Sequence, residues 1–268
     1  GFTSREINKR AGKTGALWQD EYWDRLIRHE QHFFKVAEYI RENPVKAKLR
    51  ERQFILESGQ ERGLSSPRPI EKAGGQAVDA PVTGSVDAAI RGDMPMFVGG
   101  ADDDIEAARP VIEAMGELRK VGQYGNGYVA KLVNNQLWKV HAAAIGEAMV
   151  CAKIAGIDPA VWWDVMKGGA ADSFVLSHDV PSIFAGHYDP SFPIKLCLKD
   201  LALIKELMDD TGVRSEMTDA THARFSEAGA RYGMEAGEMT VCKLIEEDAG
   251  IDLRVQGDWV APWEVSRD

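Results

Sequence analysis

The chain has 268 residues, 44% of them apolar and 28% charged, an ordinary globular composition with room for one large domain or two smaller ones. A formal net charge of −10 argues against broad surface contact with nucleic-acid phosphates, though it leaves room for a local basic site. No apolar run approaches the ~18 residues that a membrane span requires. Three widely spaced cysteines, Cys151, Cys197 and Cys242, form no Cys-x-x-Cys pair and read as reduced thiols. The opening GFTSREINKR has no apolar signal-like run, so the expected location is cytoplasmic; it starts at Gly1, and the natural start is expected upstream.

Residues 1–52 hold 12 Lys/Arg against 8 Asp/Glu, a balance of +4, and the rest of the chain carries −14. Within the first segment Leu26, Ile27, Phe33, Phe34, Ala37 and Ile40 recur at helical spacing, until Pro44 interrupts. The Gly-, Ser- and Pro-rich stretch ESGQERGLSSPRP, 57–69, reads as a linker. Beyond it, Ala77 to Val82, Gly92 to Gly100 and LRKVG (118–122) read as short buried strands. Between the last two, ADDDIEAARPVIEAMG predicts a helix, with Asp102 to Asp104 capping its start and Gly116 ending it. From Tyr128 a stripe of Val129, Val133, Leu137, Val140 and Ala144, running on toward Met149, predicts a helix of about 25–30 residues. Later helices are expected near Pro159, Pro193 and Thr218, and a C-terminal tail lying on the surface through Trp259 and Trp263.

The segment GQYGNGYVAKLVNN, 122–135, carries the densest chemistry. Lys131, Asn134 and Asn135 stand at i, i+3 and i+4 and share a helical face, behind glycines that let backbone approach a ligand. A solvated helix start is the alternative reading of those polar residues. Gly125, Gly127 and Ala130 also fit a loose G-x-G-x-x-A pattern, but no following strand and acidic residue make it a dinucleotide loop.

Two resemblances are carried by specific wording. LWQDEYWDRLIRHEQHFFKVAEYIRENPVKAKL is similar to the C-terminal part of transposases associated with repetitive extragenic palindromes. Tyr39 would match their nucleophile, but the His-hydrophobe-His metal pair is absent, and His29 and His32 read as solvent-facing; the expectation is a remnant without nuclease activity. Residues from about 63 to 250 resemble the β-hydroxyacid dehydrogenases, 3-hydroxyisobutyrate dehydrogenase in particular. Three motifs follow in order: DAPVTGS (79–85), GNGYVAKLVNN (125–135) and KDLALI (199–204).

This second resemblance implies NAD or NADP as cofactor and a small 3-hydroxy acid or semialdehyde as substrate. Lys131 would be the general acid/base and Asn135 would hold the substrate oxygen or orient the lysine, with Asn134 in support. Thr83, Gly84 and Ser85 would cradle the substrate carboxylate, Ser85 standing where the family has a glycine. Lys199, fixed by Asp200, would lie beside the cofactor, with Gly125 and Gly127 near it. No metal site is implied. Lys131 speaks against the imine-reductase branch, and Asn134 against the 6-phosphogluconate branch with its K-x-x-H-N.

The implied fold class is α+β, mostly α. A transposase-like helical segment (1–57) and a linker (58–72) would precede a Rossmann-type remnant of about three strands (73–124) and an all-α 6-phosphogluconate-dehydrogenase-like domain (125–268). The sequence contains no G-x-G-x-x-G loop. Impaired cofactor binding is therefore expected, together with an exposed sheet around 75–122 prone to instability or self-association. Homo-oligomerisation through the helical domain is expected, even as a non-catalytic module; no membrane contact is expected, and DNA binding by 1–52 is the weakest reading.

Overall fold

The computed structural model describes residues 77–259. The transposase-like segment with Tyr39, His29 and His32, the linker, and Trp263 lie outside the described residues. The chain divides into two compact units at Ala130/Lys131.

The first unit contains α1 (Ser85–Arg91), β1 (Met94–Gly99), α2 (Asp102–Glu113) and β2 (Gly116–Gly122). β1 and β2 pair in parallel, Met94 opposite Gly116 and Val98 opposite Lys120. The stretch 77–82, read as a third strand, is instead tied to β1 by two isolated antiparallel bridges, Asp79 to Gly99 and Val82 to Met96. Pro81 sits between them and has no N–H to extend the ladder; its carbonyl accepts from Phe97 N at 2.9 Å. The core of this unit is small, built on Met96, Val98, Ile105 and Ile112.

α2 departs from its expected ends. Ala101 is the N-cap and no side chain caps it; the Asp102–Asp104 trio fills the first turn, where it complements the helix dipole, and Asp102 pairs with Lys120. The helix stops at Glu113, and Gly116 opens β2.

One helix, α3, runs Asn126–Ile154, 29 residues, as the length of the pattern predicts. The remaining elements are α4 (Pro159–Met166), a π-helical turn (Val175–Asp179), α5 (Val180–Ala185), α6 (Ile194–Thr211), α7 (Glu216–Tyr232) and α8 (Thr240–Ala249). Asp158 caps α4, its carboxylate accepting from Ala160 and Val161 N–H. α6 packs on α7 and α7 on α8. The core of the second unit gathers Met149, Phe184, Ile194, Leu201, Phe225 and Leu244 among others, and Trp259 packs against it beside Phe184.

The buried face of α3 differs from its apolar stripe. Val133 and Leu137 are 40% and 55% exposed, and Ala144 is exposed too. The buried line is Asn135, Lys139, Ala142, Gly146 and Met149. Two of these five are polar, so hydropathy periodicity alone selected a neighbouring face.

Candidate active site

The first unit builds a turn and a cap. Gly84 takes φ +101° and Ser85 φ +68°, both left-handed, so the chain reverses sharply into α1. Thr83 N–H donates to Pro95 O at 2.9 Å, which fastens the turn to β1.

Asp79, the first residue of the same motif, was not among the expected site residues. Its carboxylate is 1% exposed and accepts from Gly125 N at 2.7 Å and Tyr128 N at 2.8 Å. It thus caps the start of α3 from 46 residues away, and burial raises its pKa against the pull of those backbone bonds. The motif's leading acid was the only signal for this in the sequence.

The cap also explains one glycine. A Cβ on Gly127 would overlap Asp79 Oδ2 and the Phe97 carbonyl oxygen, so the close approach there is to the protein itself. Gly125, at φ +93°, faces open space.

The second unit brings together Lys131, Asn134, Asn135, Lys199 and Asp200. Asn135, 4% exposed, donates from Nδ2 to Asp200 Oδ2 at 2.8 Å and accepts from Asn134 Nδ2 at 3.2 Å. Lys199 Nζ lies 3.3 Å from Asp200 Oδ1, with most of its side chain in solvent. Asp200 therefore fixes the Asn135 amide from α6 while drawing Lys199 to the same spot. Lys131 is half-buried, and its pKa falls from 10.5 to about 8. Burial is the main cause; Asp200 opposes the fall, and Lys139 and Lys199 add to it. An amine of lowered pKa with an oriented amide one helical turn away is an arrangement able to exchange a proton near neutrality. Among the described residues, no group of three or more His, Cys, Asp or Glu is arranged to hold a metal ion, and no helix is long and apolar enough to cross a membrane.

Comparison with known proteins gives this set a context. Residues 34–127 match the family model of the NAD-binding domain of 6-phosphogluconate dehydrogenase. Residues 125–245 match that of the NAD-binding of NADP-dependent 3-hydroxyisobutyrate dehydrogenase. An uncharacterised oxidoreductase of Synechocystis is 37% identical over 134 residues, 50% of this chain and 46% of that protein. The L-threonate dehydrogenase of Haemophilus influenzae is 30% identical over 183 residues, 67% of this chain and 60% of that one. Among solved structures, the Mycobacterium tuberculosis 3-hydroxyisobutyrate dehydrogenase with L-serine superposes with a TM-score of 0.61 at 26% identity, over 66% of this chain and 64% of that chain.

Across residues 34–245 the chain is thus similar to dehydrogenases of the 6-phosphogluconate and 3-hydroxyisobutyrate type. It spans about half to three-fifths of the length of these two curated relatives. The first family match begins at residue 34 and so overlaps the transposase-like wording, for which these comparisons give no support.

Proposed function

We propose that the chain derives from, and retains the proton-transfer site of, an NAD(P)-dependent oxidoreductase. That enzyme would interconvert a small 3-hydroxy acid and its semialdehyde. The observation that carries this reading is the half-buried Lys131 amine, with its pKa near 8, set one turn from an Asn135 amide held by Asp200. This donor set fits the partner chemistry of a nicotinamide: when bound, the cofactor accepts or returns a hydride, and a proton must move at the substrate oxygen.

In the proposed mechanism neutral Lys131 takes the hydroxyl proton during oxidation and returns it during reduction. Asn135 Nδ2 is held by Asp200, and the amide orients the substrate oxygen or the lysine, with Asn134 bracing it. The Thr83–Ser85 turn offers hydroxyl and backbone N–H donors to a carboxylate, the group shared by the acids in the relatives' names. Lys199, on the solvent side of Asp200, is assigned to the cofactor.

Affinity for the cofactor is proposed to be weak. The sequence offers no G-x-G-x-x-G loop, and each charge-assisted hydrogen bond that such a loop supplies is worth roughly 1.5–3 kcal/mol. The test is calorimetric titration of the purified chain with NADH and NADPH, alongside turnover of a panel of 3-hydroxy acids and L-threonate. Expected are dissociation constants of about a millimolar or weaker and slow, Lys131-dependent nicotinamide reduction. Absence of both binding and turnover at saturating cofactor rejects the reading. A stable dimer in that case would favour a non-catalytic association module, to which the exposed Val133 and Leu137 side chains already point.

A further inference from the structure

The site face of α3 continues inward to a second ammonium. Lys139 stands eight residues after Lys131 and four after Asn135, hence on their face, about 12 Å along the axis from Lys131. It is fully buried. Its Nζ lies 3.3 Å from Glu238 Oε2, and 3.0 Å and 4.4 Å from the ring centroids of Trp138 and Phe192. Glu238 is equally buried, and its Oε1 has no hydrogen-bond partner. Cys197 Sγ contacts Glu238 Oε2 at 3.9 Å, and Cys197 precedes Asp200 by three residues on α6. A polar line thus runs through the second unit from Glu238 and Lys139, past Cys197, to Asp200, Asn135 and Lys131.

Such a pair needs a reason. A buried ion pair can often be replaced by apolar side chains without loss of stability, and this one leaves a carboxylate oxygen unsatisfied. What it does achieve is to hold a positive charge, with little water to screen it, two turns behind a second amine.

We propose that Lys139 is a positioning residue for Lys131: its buried ammonium, fixed by Glu238 and the Trp138 and Phe192 rings, disfavours a second charge on Lys131 and keeps that amine available as a base near neutrality. This rests on the reading of Lys131 as the general acid/base. The other charges facing Lys131 come from α6, where Asp200 favours its protonated form and Lys199 opposes it. Glu238 faces Asp179 and Asp189 as well as Lys139, and burial drives its carboxyl well above the usual range. Of the two ammonium groups that lower the Lys131 pKa, Lys139 acts more strongly than Lys199.

The test compares the unaltered full chain with Lys139→Met/Glu238→Gln, which removes both ions together and leaves neither buried without its partner. The pH dependence of Lys131 acylation is followed by competitive labelling and mass spectrometry of its peptide, with Lys120 as internal standard. Loss of the Lys139 charge is expected to raise the Lys131 midpoint, slowing its labelling at pH ~8 about three- to tenfold relative to the unaltered chain. An unchanged midpoint overturns the proposal. Should that double variant fail to fold, Lys139→Gln/Glu238→Gln provides the same contrast. The readout needs no turnover. A shifted midpoint in an inactive chain sinks the dehydrogenase reading alone, and an unmoved midpoint in an active one sinks this inference alone.

Discussion

In the proposed reaction Lys131 carries the proton. Its replacement by Met keeps the length and removes the proton acceptor, so turnover is expected to drop by about 10²- to 10⁴-fold; single-turnover nicotinamide reduction measures it. Asp200→Asn removes the charge that favours protonated Lys131, so the Lys131 midpoint is expected to fall below about 8. That shift is opposite in sign to the effect of losing Lys139, and the same labelling experiment reads both. Asp79 acts through stability. In Asp79→Asn one carbonyl oxygen must serve two amides, Gly125 and Tyr128, at an expected cost of about 1–3 kcal/mol in urea unfolding. An unchanged midpoint and slope would show that the cap contributes nothing.

At the scale of elements, α3 joins two environments with different rules. Its first turn is fixed by a carboxylate from a distant segment, and its middle buries an amide and an ammonium that find partners on α6 and just before α8. The outer face keeps Val133 and Leu137 in solvent. Leu137→Glu is therefore expected to leave the helical circular dichroism intact and to shift any dimer toward monomer in light scattering. Gly127→Ala belongs to the same junction. Its methyl meets both the Asp79 carboxylate and a β1 carbonyl, neither of which can withdraw cheaply, and a loss of at least about 2 kcal/mol is expected. The π-helical turn at Val175–Asp179 has a visible consequence too: it directs buried Asp179 to accept from Trp138 Nε1 at 3.2 Å, on the helix that bears Lys131.

For the molecule as a whole, pH is the informative variable. Lys131 has its folded-state pKa lowered to about 8 from 10.5. The folded state therefore binds fewer protons than the unfolded one between these values, and this group's contribution to stability rises with pH across that window; it is lost as pH falls through about 8. Activity has the same origin. Oxidation needs the neutral amine and is expected to rise through pH ~8 and level off, whereas reduction needs the ammonium and is expected to decline over the same range. Profiles of kcat/KM in both directions measure this, and two flat profiles would remove Lys131 from the mechanism.

The helical face of the candidate site was legible in the letters. Lys131, Asn134 and Asn135 share a face because helical periodicity forces i, i+3 and i+4 together, and α3 has the length its pattern implied. The inward side of that helix was not legible, because its apolar residues occupy more than one face and two of its buried positions are polar. The stretch 77–82 read as a strand from its apolar run, yet Pro81 limits it to bridges. Asp79 and Lys139 were missed for one reason: each is explained by a partner 46 and 99 residues distant, respectively. Local spacing decides which side chains travel together, since it depends only on the rise and turn of the backbone. Which of them leave water, and so which protons they hold, depends on what the rest of the chain packs against them, and only the tertiary structure decided that here.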